Sequence, residues 1–167
     1  MRLVVGWVLA AAVTAGGPPP PKVGSGGAEA WDALRGLAGT WDARTAKGAT
    51  VRLAYRFVAN DSVLVETFTT KSGRETLTLF HLDGARLLAT HYCAQGNQPR
   101  LQLDPASGTP TRLVFDFVDA TNLKDGAAHL RRLEIEVLGE DRFRKTETYR
   151  SGDQDEVTVY ECSRTKS

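Results

Sequence analysis

Apolar and polar positions along this chain follow two periods, helical before Trp41 and two from there to the end. In AEAWDALRGLAGTW, Trp31, Leu34, Leu37 and Ala38 recur at helical spacing, which predicts one or two turns that Gly36 and Gly39 keep short. The runs TVRLAYRFV, SVLVETFTT, ETLTLFHLD, ARLLATHYC, TRLVFDFVD, HLRRLEIEV, DRFRKTETYR and EVTVYECSR have strand length and β-branched or aromatic enrichment. Turn signals such as Asn60-Asp61, Ser72-Gly73, Asp83-Gly84, Gly139-Glu140-Asp141 and Ser151-Gly152-Asp153 separate them. A first strand at Gly39 to Arg44 and a short one near Arg100 to Leu103 bring the expected number to about ten.

No helix of any length separates these runs, so parallel pairing is not expected and the natural topology is an antiparallel meander. About ten sequential strands lose their exposed edges by closing on themselves. The expected fold is therefore all-β, an up-and-down antiparallel barrel of about ten strands preceded by a short helix, with a two-sheet sandwich as the alternative. Several strands carry polar residues on both faces: Glu66 beside Phe68, Glu147 beside Tyr149, Thr78 beside Phe80. That pattern points to a solvated or ligand-filled lumen.

The best-defined hairpin is TLTLFHLDGARLLATHYC. With Asp83-Gly84 as its two-residue turn, Phe80 pairs with Leu87, Thr78 with Ala89 and Thr76 with His91. Thr78, Phe80, Leu87, Ala89, His91 and Cys93 then share one face, and Leu77, Leu79, His81, Arg86, Leu88, Thr90 and Tyr92 the other. Because His81 would lie opposite Arg86 on that second face, it is read as the outer one, and His91 and Cys93 point inward. A slip of one residue would reverse the assignment.

Length and composition agree with one domain: 167 residues, 41% hydrophobic and 25% charged. The balance of 21 Lys+Arg against 20 Asp+Glu, without a block of like charge, leaves no footprint for a nucleic-acid partner. MRLVVGWVLAAAVTAGG has the basic start, apolar run and small residues of an export signal, with cleavage expected after Ala15. Its apolar run is too short for a membrane-spanning helix. Residues 16–28, rich in Pro and Gly, read as a tether, and residues 29–167 as the barrel domain. The expected location is outside the cytoplasm, periplasmic or released. Cys93 and Cys162 would then meet oxidising conditions, as a bridge or as two separate thiols.

The stretch LAGTWDAR, Leu37 to Arg44, resembles the Gly-x-Trp start of calycin barrels, the lipocalin and fatty-acid-binding-protein group, whose first-strand tryptophan closes one end. HLDGARLLATHYCAQGNQPRLQL, His81 to Leu103, is similar to exported bacterial lipocalin-like proteins related in shape to ten-stranded nitrobindin-type haem barrels. The resemblance spans Trp31 to Arg164. It implies a small barrel whose cavity holds something apolar, and no established reaction. Nitrobindin-type barrels hold haem through a histidine on a late strand; Phe143 to Arg164 contains none, so haem would have to rely on His91 or His129.

The candidate ligand-binding residues are Trp41, Glu66, Phe80, His91, Gln98, Arg100, Arg144 and Tyr160. His91 with Cys93 resembles a base and nucleophile, but side chains two apart on a strand do not aim at one another, and a metal would need a third donor. Asn97, Gln98 and Arg100 read as the polar corner beside His91, either touching a ligand or ordering the loop. Glu66 and Glu147 pair as acid and base only if they face each other; exposed carboxylates are the favoured reading. Arg144, on a strand whose face is open at this stage, would grip a carboxylate with Tyr160 if it pointed inward, as would Arg56 or Arg132; solvent-facing charge is the favoured reading of each. Trp41 reads as a packing plug before a ligand contact.

The expected function is non-catalytic binding of a small apolar or amphipathic molecule in the lumen, without a resident cofactor or metal, and with the oligomeric state open. One alternative is a haem barrel. The other is a cell-envelope interaction protein with a filled barrel and an apolar outer face at Leu77, Leu79, Leu88 and Tyr92.

Overall fold

The computed structural model describes residues 25–106, 109 and 111–166. Helix α1 (Ser25–Arg35) precedes ten strands: β1 (Gly39–Thr45), β2 (Thr50–Val58), β3 (Val63–Thr70), β4 (Glu75–Asp83), β5 (Arg86–Tyr92), β6 (Gln98–Leu103), β7 (Arg112–Thr121), β8 (His129–Gly139), β9 (Arg142–Ser151) and β10 (Gln154–Arg164). Each strand pairs antiparallel with its neighbours in chain order, and β10 returns to β1, closing the barrel. The period-two pattern places alternate side chains inside: Leu87, Ala89 and His91 on β5, and Phe143, Lys145 and Glu147 on β9, are all buried.

The helix covers one end. It buries Gly27, Ala30, Trp31 and Leu34, the i, i+3, i+4, i+7 stripe of an amphipathic helix. Trp31 meets Phe57 edge-on with ring centroids 5.8 Å apart, and the Arg35 guanidinium lies 4.9 Å from the Phe57 centroid. The helix starts earlier than its apolar spacing predicts, inside the segment read as tether. The reason is Gly27: a Cβ there would come within 2.3 Å of the Ala85 carbonyl oxygen, so only glycine lets the first turn rest on the β4–β5 connection. Ala38, expected on the buried stripe, lies past the helix end and is exposed. Residues 1–24, which hold the expected export signal and the rest of the tether, lie outside the described residues.

Beneath the helix, the Trp41 indole N–H donates to the Leu37 carbonyl at 2.8 Å, and the ring packs edge-on against Phe143 at 4.7 Å. Leu53, Leu64, Phe80, Phe115 and Leu133 fill the interior around them, each with essentially no exposure. Gly39 opens β1 at φ 127°, and a Cβ there would sit 2.8 Å from the Arg164 guanidinium, which accounts for the glycine two residues before Trp41.

The β4–β5 hairpin differs from expectation in register but not in facing. Its turn is Gly84-Ala85, with positive φ at the first central residue only, the type II′ pattern. Phe80 therefore pairs with Ala89 and Thr78 with His91. This moves each partner by two residues, so every side chain keeps its face, and Thr78, Phe80, Leu87, Ala89 and His91 are buried. The reason given for the outer face does not hold: His81 opposes Leu88, while Arg86 pairs with Asp83. Cys93 follows the end of β5 and is half-buried, Cys162 on β10 is buried, and both are free thiols.

Candidate functional site

Register across four neighbouring strands sets Tyr55, Glu66, Thr78 and His91 side by side in one inward row, from β2 to β5. Facing them, the alternation of β9 points Lys145, Glu147 and Tyr149 into the barrel. β9 is not a sheet neighbour of β2, β3, β4 or β5, so contacts between the two sets cross the interior.

Two connected groups result. In the first, the Lys145 ammonium ion-pairs with Glu66 Oε1 and stands 2.9 Å from Glu147 Oε1, while the Tyr55 hydroxyl donates to Glu66 Oε2. In the second, His91 Nδ1 lies 3.0 Å from Thr78 Oγ1 and His91 Nε2 lies 3.0 Å from the Tyr149 hydroxyl. The polar inward positions that suggested an open lumen satisfy one another across it instead, as buried polar groups must.

Burial and charge fix the protonation of this network. Desolvation alone would push Lys145 toward neutrality, but the Glu147 and Glu66 carboxylates outweigh it and hold its pKa above the ordinary 10.5. Burial lowers His91 from 6.5 to about 4, with Glu147 opposing the shift and Lys145 adding to it. Burial, then the nearby Glu147, raises the Tyr149 phenol, and burial, then Glu66, raises Tyr55. At neutral pH the interior thus holds an ammonium, an uncharged imidazole with both nitrogens engaged, and undissociated phenols.

The network reaches open space at the end of the barrel opposite α1. A cavity of about 210 Å³ lies there, lined by Phe68, Thr76, Cys93, Glu147, Tyr149 and Tyr160, with Arg74 also on its boundary. Phe68 and Tyr160 meet edge-on at 5.5 Å, and the Lys145 ammonium lies 5.3 Å from the Phe68 centroid. A larger groove of about 460 Å³ runs beside α1 at the closed end, bordered by Leu37, Trp41, Val137 and Arg164.

The structure divides the eight candidates. Glu66 and His91 belong to the cross-lumen network, and Tyr160 lines the mouth. Phe80 is core, packed against Phe115 at 5.6 Å, and Trp41 is the plug of the closed end. The other three sit elsewhere. Gln98 accepts from Thr121 Oγ1 and Asn122 Nδ2 and ties β6 to the end of β7. Arg100 is exposed and forks onto Asp119, which depresses that carboxyl and raises the guanidinium. Arg144 bridges Glu136 and Glu161 on the outer wall, so it grips no lumenal carboxylate. Arg132 is likewise outside, on Asp116 and Glu134.

One further reading needs correction. Glu66 and Glu147, favoured as exposed, are 1% and 6% exposed, because Lys145 and Tyr55 compensate the cost of burying them. Asn97 is buried and donates to the Ala128 carbonyl at 2.9 Å, a loop-ordering role. Lys145, Tyr55 and Tyr149 were not singled out in the sequence. The signal for two of them was the face shared by Phe143, Lys145, Glu147 and Tyr149, where two aromatics flank two opposite charges. Among the described residues, no group of three or more His, Cys, Asp or Glu is placed to hold a metal ion.

No protein-family model and no curated protein matches the chain. Among solved structures, one described as "EF1p2_mFAP2b bound to DFHBI" is similar to it, with a TM-score of 0.38 and 11% identity, over 81% of this chain and 98% of that one.

Proposed function

We propose that this barrel is a non-catalytic binding protein that takes one small amphipathic molecule at its open end. The observation that carries the reading is the mouth cavity, where Glu147 and Tyr149, members of an otherwise buried network, border open space beside the rings of Phe68 and Tyr160. Apolar surface covered by those rings supplies affinity, at about 25 cal/mol per Å², and the carboxylate and phenol set orientation. Deep entry into the lumen is disfavoured by the side chains that already fill it.

The non-catalytic part rests on protonation. A general base works best with a pKa near the operating pH, whereas His91 is lowered to about 4 and Lys145 and Tyr149 are raised. Haem draws less support than a small organic ligand, because axial ligation requires a free imidazole nitrogen and both nitrogens of His91 are engaged. His129 leaves Nε2 uncommitted, but it pairs across the ladder with the outward-facing Arg150 and packs its ring on Phe117, away from the lumen. Export to the periplasm or beyond is part of the proposal and rests on the apolar run at the start of the sequence.

Native against denaturing mass spectrometry of the protein from its own source tests the reading. A passenger lost on denaturation, and missing from Tyr160→Trp, which fills the mouth, is the expected result. A passenger retained by Tyr160→Trp would move the site elsewhere. A bare chain that also ignores small amphipathic probes would favour the filled barrel acting through its outer wall, where Tyr92 is 45% exposed.

A further inference from the structure

Resting on that reading of the mouth, we infer that the ligand class is a small organic cation, an ammonium carried on a compact apolar or aromatic body. Among the described residues, the buried acidic and basic side chains other than the uncharged His91 are Lys145, Glu66 and Glu147, a formal excess of one negative charge.

The excess sits at the cavity. Glu66 is enclosed, with one oxygen on Lys145 and the other on Tyr55. Glu147 brings one oxygen, Oε1, to the ammonium and lines the mouth while remaining 6% exposed. A carboxylate so nearly removed from water is poorly screened, so a cation arriving at the mouth gains far more there than at a surface site.

The walls agree with the charge. Tyr149 and Tyr160 line the same cavity and offer ring surface, the kind of environment that binds ammonium ions through the ring quadrupole. Lys145 already lies over Phe68 in this sense, so the protein itself places an ammonium against one wall of the site. An anion would meet Glu147 with no other buried cation among the described residues to receive it, since Lys145 is spent on two carboxylates. Arg74 also borders the cavity, but it is exposed, and its charge is screened by water where that of Glu147 is not.

Three probes of one shape separate the possibilities: benzylammonium, benzyl alcohol and benzoate, titrated at low ionic strength, with the ring resonances of Tyr149 and Tyr160 reporting location. Benzylammonium is expected to bind about tenfold or more tighter than the alcohol, with benzoate weakest, and Glu147→Gln is expected to bring ammonium and alcohol to similar affinity. The comparison among probes on the unaltered chain stands even if that variant folds poorly. Equal binding of alcohol and ammonium, with both tyrosines perturbed, would overturn the cation while keeping the mouth. If none of the three perturbs either tyrosine, the mouth itself is not the site and the inference falls with it.

Discussion

The guanidinium of Arg164 lies 4.1 Å over the ring of Trp41, joining the last strand of the barrel to the first at its closed end. From that position it donates to the carbonyls of Gly36, Ala38 and Glu140 and pairs with Asp141 at 3.1 Å. A planar five-donor group satisfies carbonyls from the α1–β1 and β8–β9 connections while its face covers the indole, which a lysine has no geometry to do.

Replacing Arg164 with Ala should therefore cost about 2–3 kcal/mol, from lost charged hydrogen bonds and the cation–π contact. Arg164→Lys should recover less than half. Urea midpoints on the three proteins decide it; equal stability of Arg164→Lys and the parent would mean that charge alone matters at this end.

How much of this was legible beforehand depends on what each feature needed. Strand number, closure and the set of residues that share a face with His91 follow from period-two alternation and from turn residues, both local properties; the reading of this face as the inner one rests on a His81–Arg86 pairing that does not form. The β4–β5 register lies two residues from the expected one, and the faces are unchanged because an even shift preserves alternation. The ion pairing of Glu66 with Lys145 joins residues on β3 and β9 that no local pattern relates. Arg144, neighbour of Lys145, faces outward, and nothing within its own strand except the aromatic company of Phe143 and Tyr149 on the opposite face would have said so. Gly27 falls in the stretch that reads as tether, because composition cannot show that a carbonyl lies against it.

Lys145→Met should be among the most damaging single changes in the protein, at about 3–5 kcal/mol, because it leaves two carboxylates buried without their cation. Replacing Glu66, Lys145 and Glu147 together by Leu, Met and Leu should be far milder, neutral or stabilising, while abolishing any preference for a cation at the mouth. Lys145 also sets an alkaline limit. Its folded pKa lies above the ordinary 10.5, so its contribution is complete below that pH and is lost as pH rises through the higher folded value. Thermal melts of parent and triple variant should run parallel at pH 8 and separate above the ordinary 10.5, as the parent loses stability that the triple variant keeps.

His91 governs the acid side. Its pKa falls from 6.5 to about 4 on folding, so between those values the unfolded chain binds a proton that the folded chain does not. Stability therefore rises with pH through this window and is lost as pH falls toward 4, by about 3 kcal/mol for a displacement of this size. His91→Gln should flatten that part of the profile, although it loses stability at pH 7. Denaturant midpoints at several pH values between 4 and 7 measure the difference, in which the carboxylates common to both proteins largely cancel. Identical slopes would mean that the buried imidazole is protonated in the fold.

The two thiols should differ in reach. Cys162 is 2% exposed and burial pushes its thiol up to about 12, so it should not react with iodoacetamide until the barrel opens. Cys93 is half-buried on the mouth cavity, 4.0 Å from the Tyr149 hydroxyl, and should take up one equivalent in the native state. Its labelling rate is then a reporter of occupancy, because a molecule seated between Glu147, Tyr149 and Tyr160 screens the sulfur directly. Saturating benzylammonium should slow the reaction severalfold in the parent and have little effect in Glu147→Gln. Uptake of two equivalents without denaturant would instead show that β10 separates readily from its neighbours, and the closed end held by Arg164 would be the place to look for the cause.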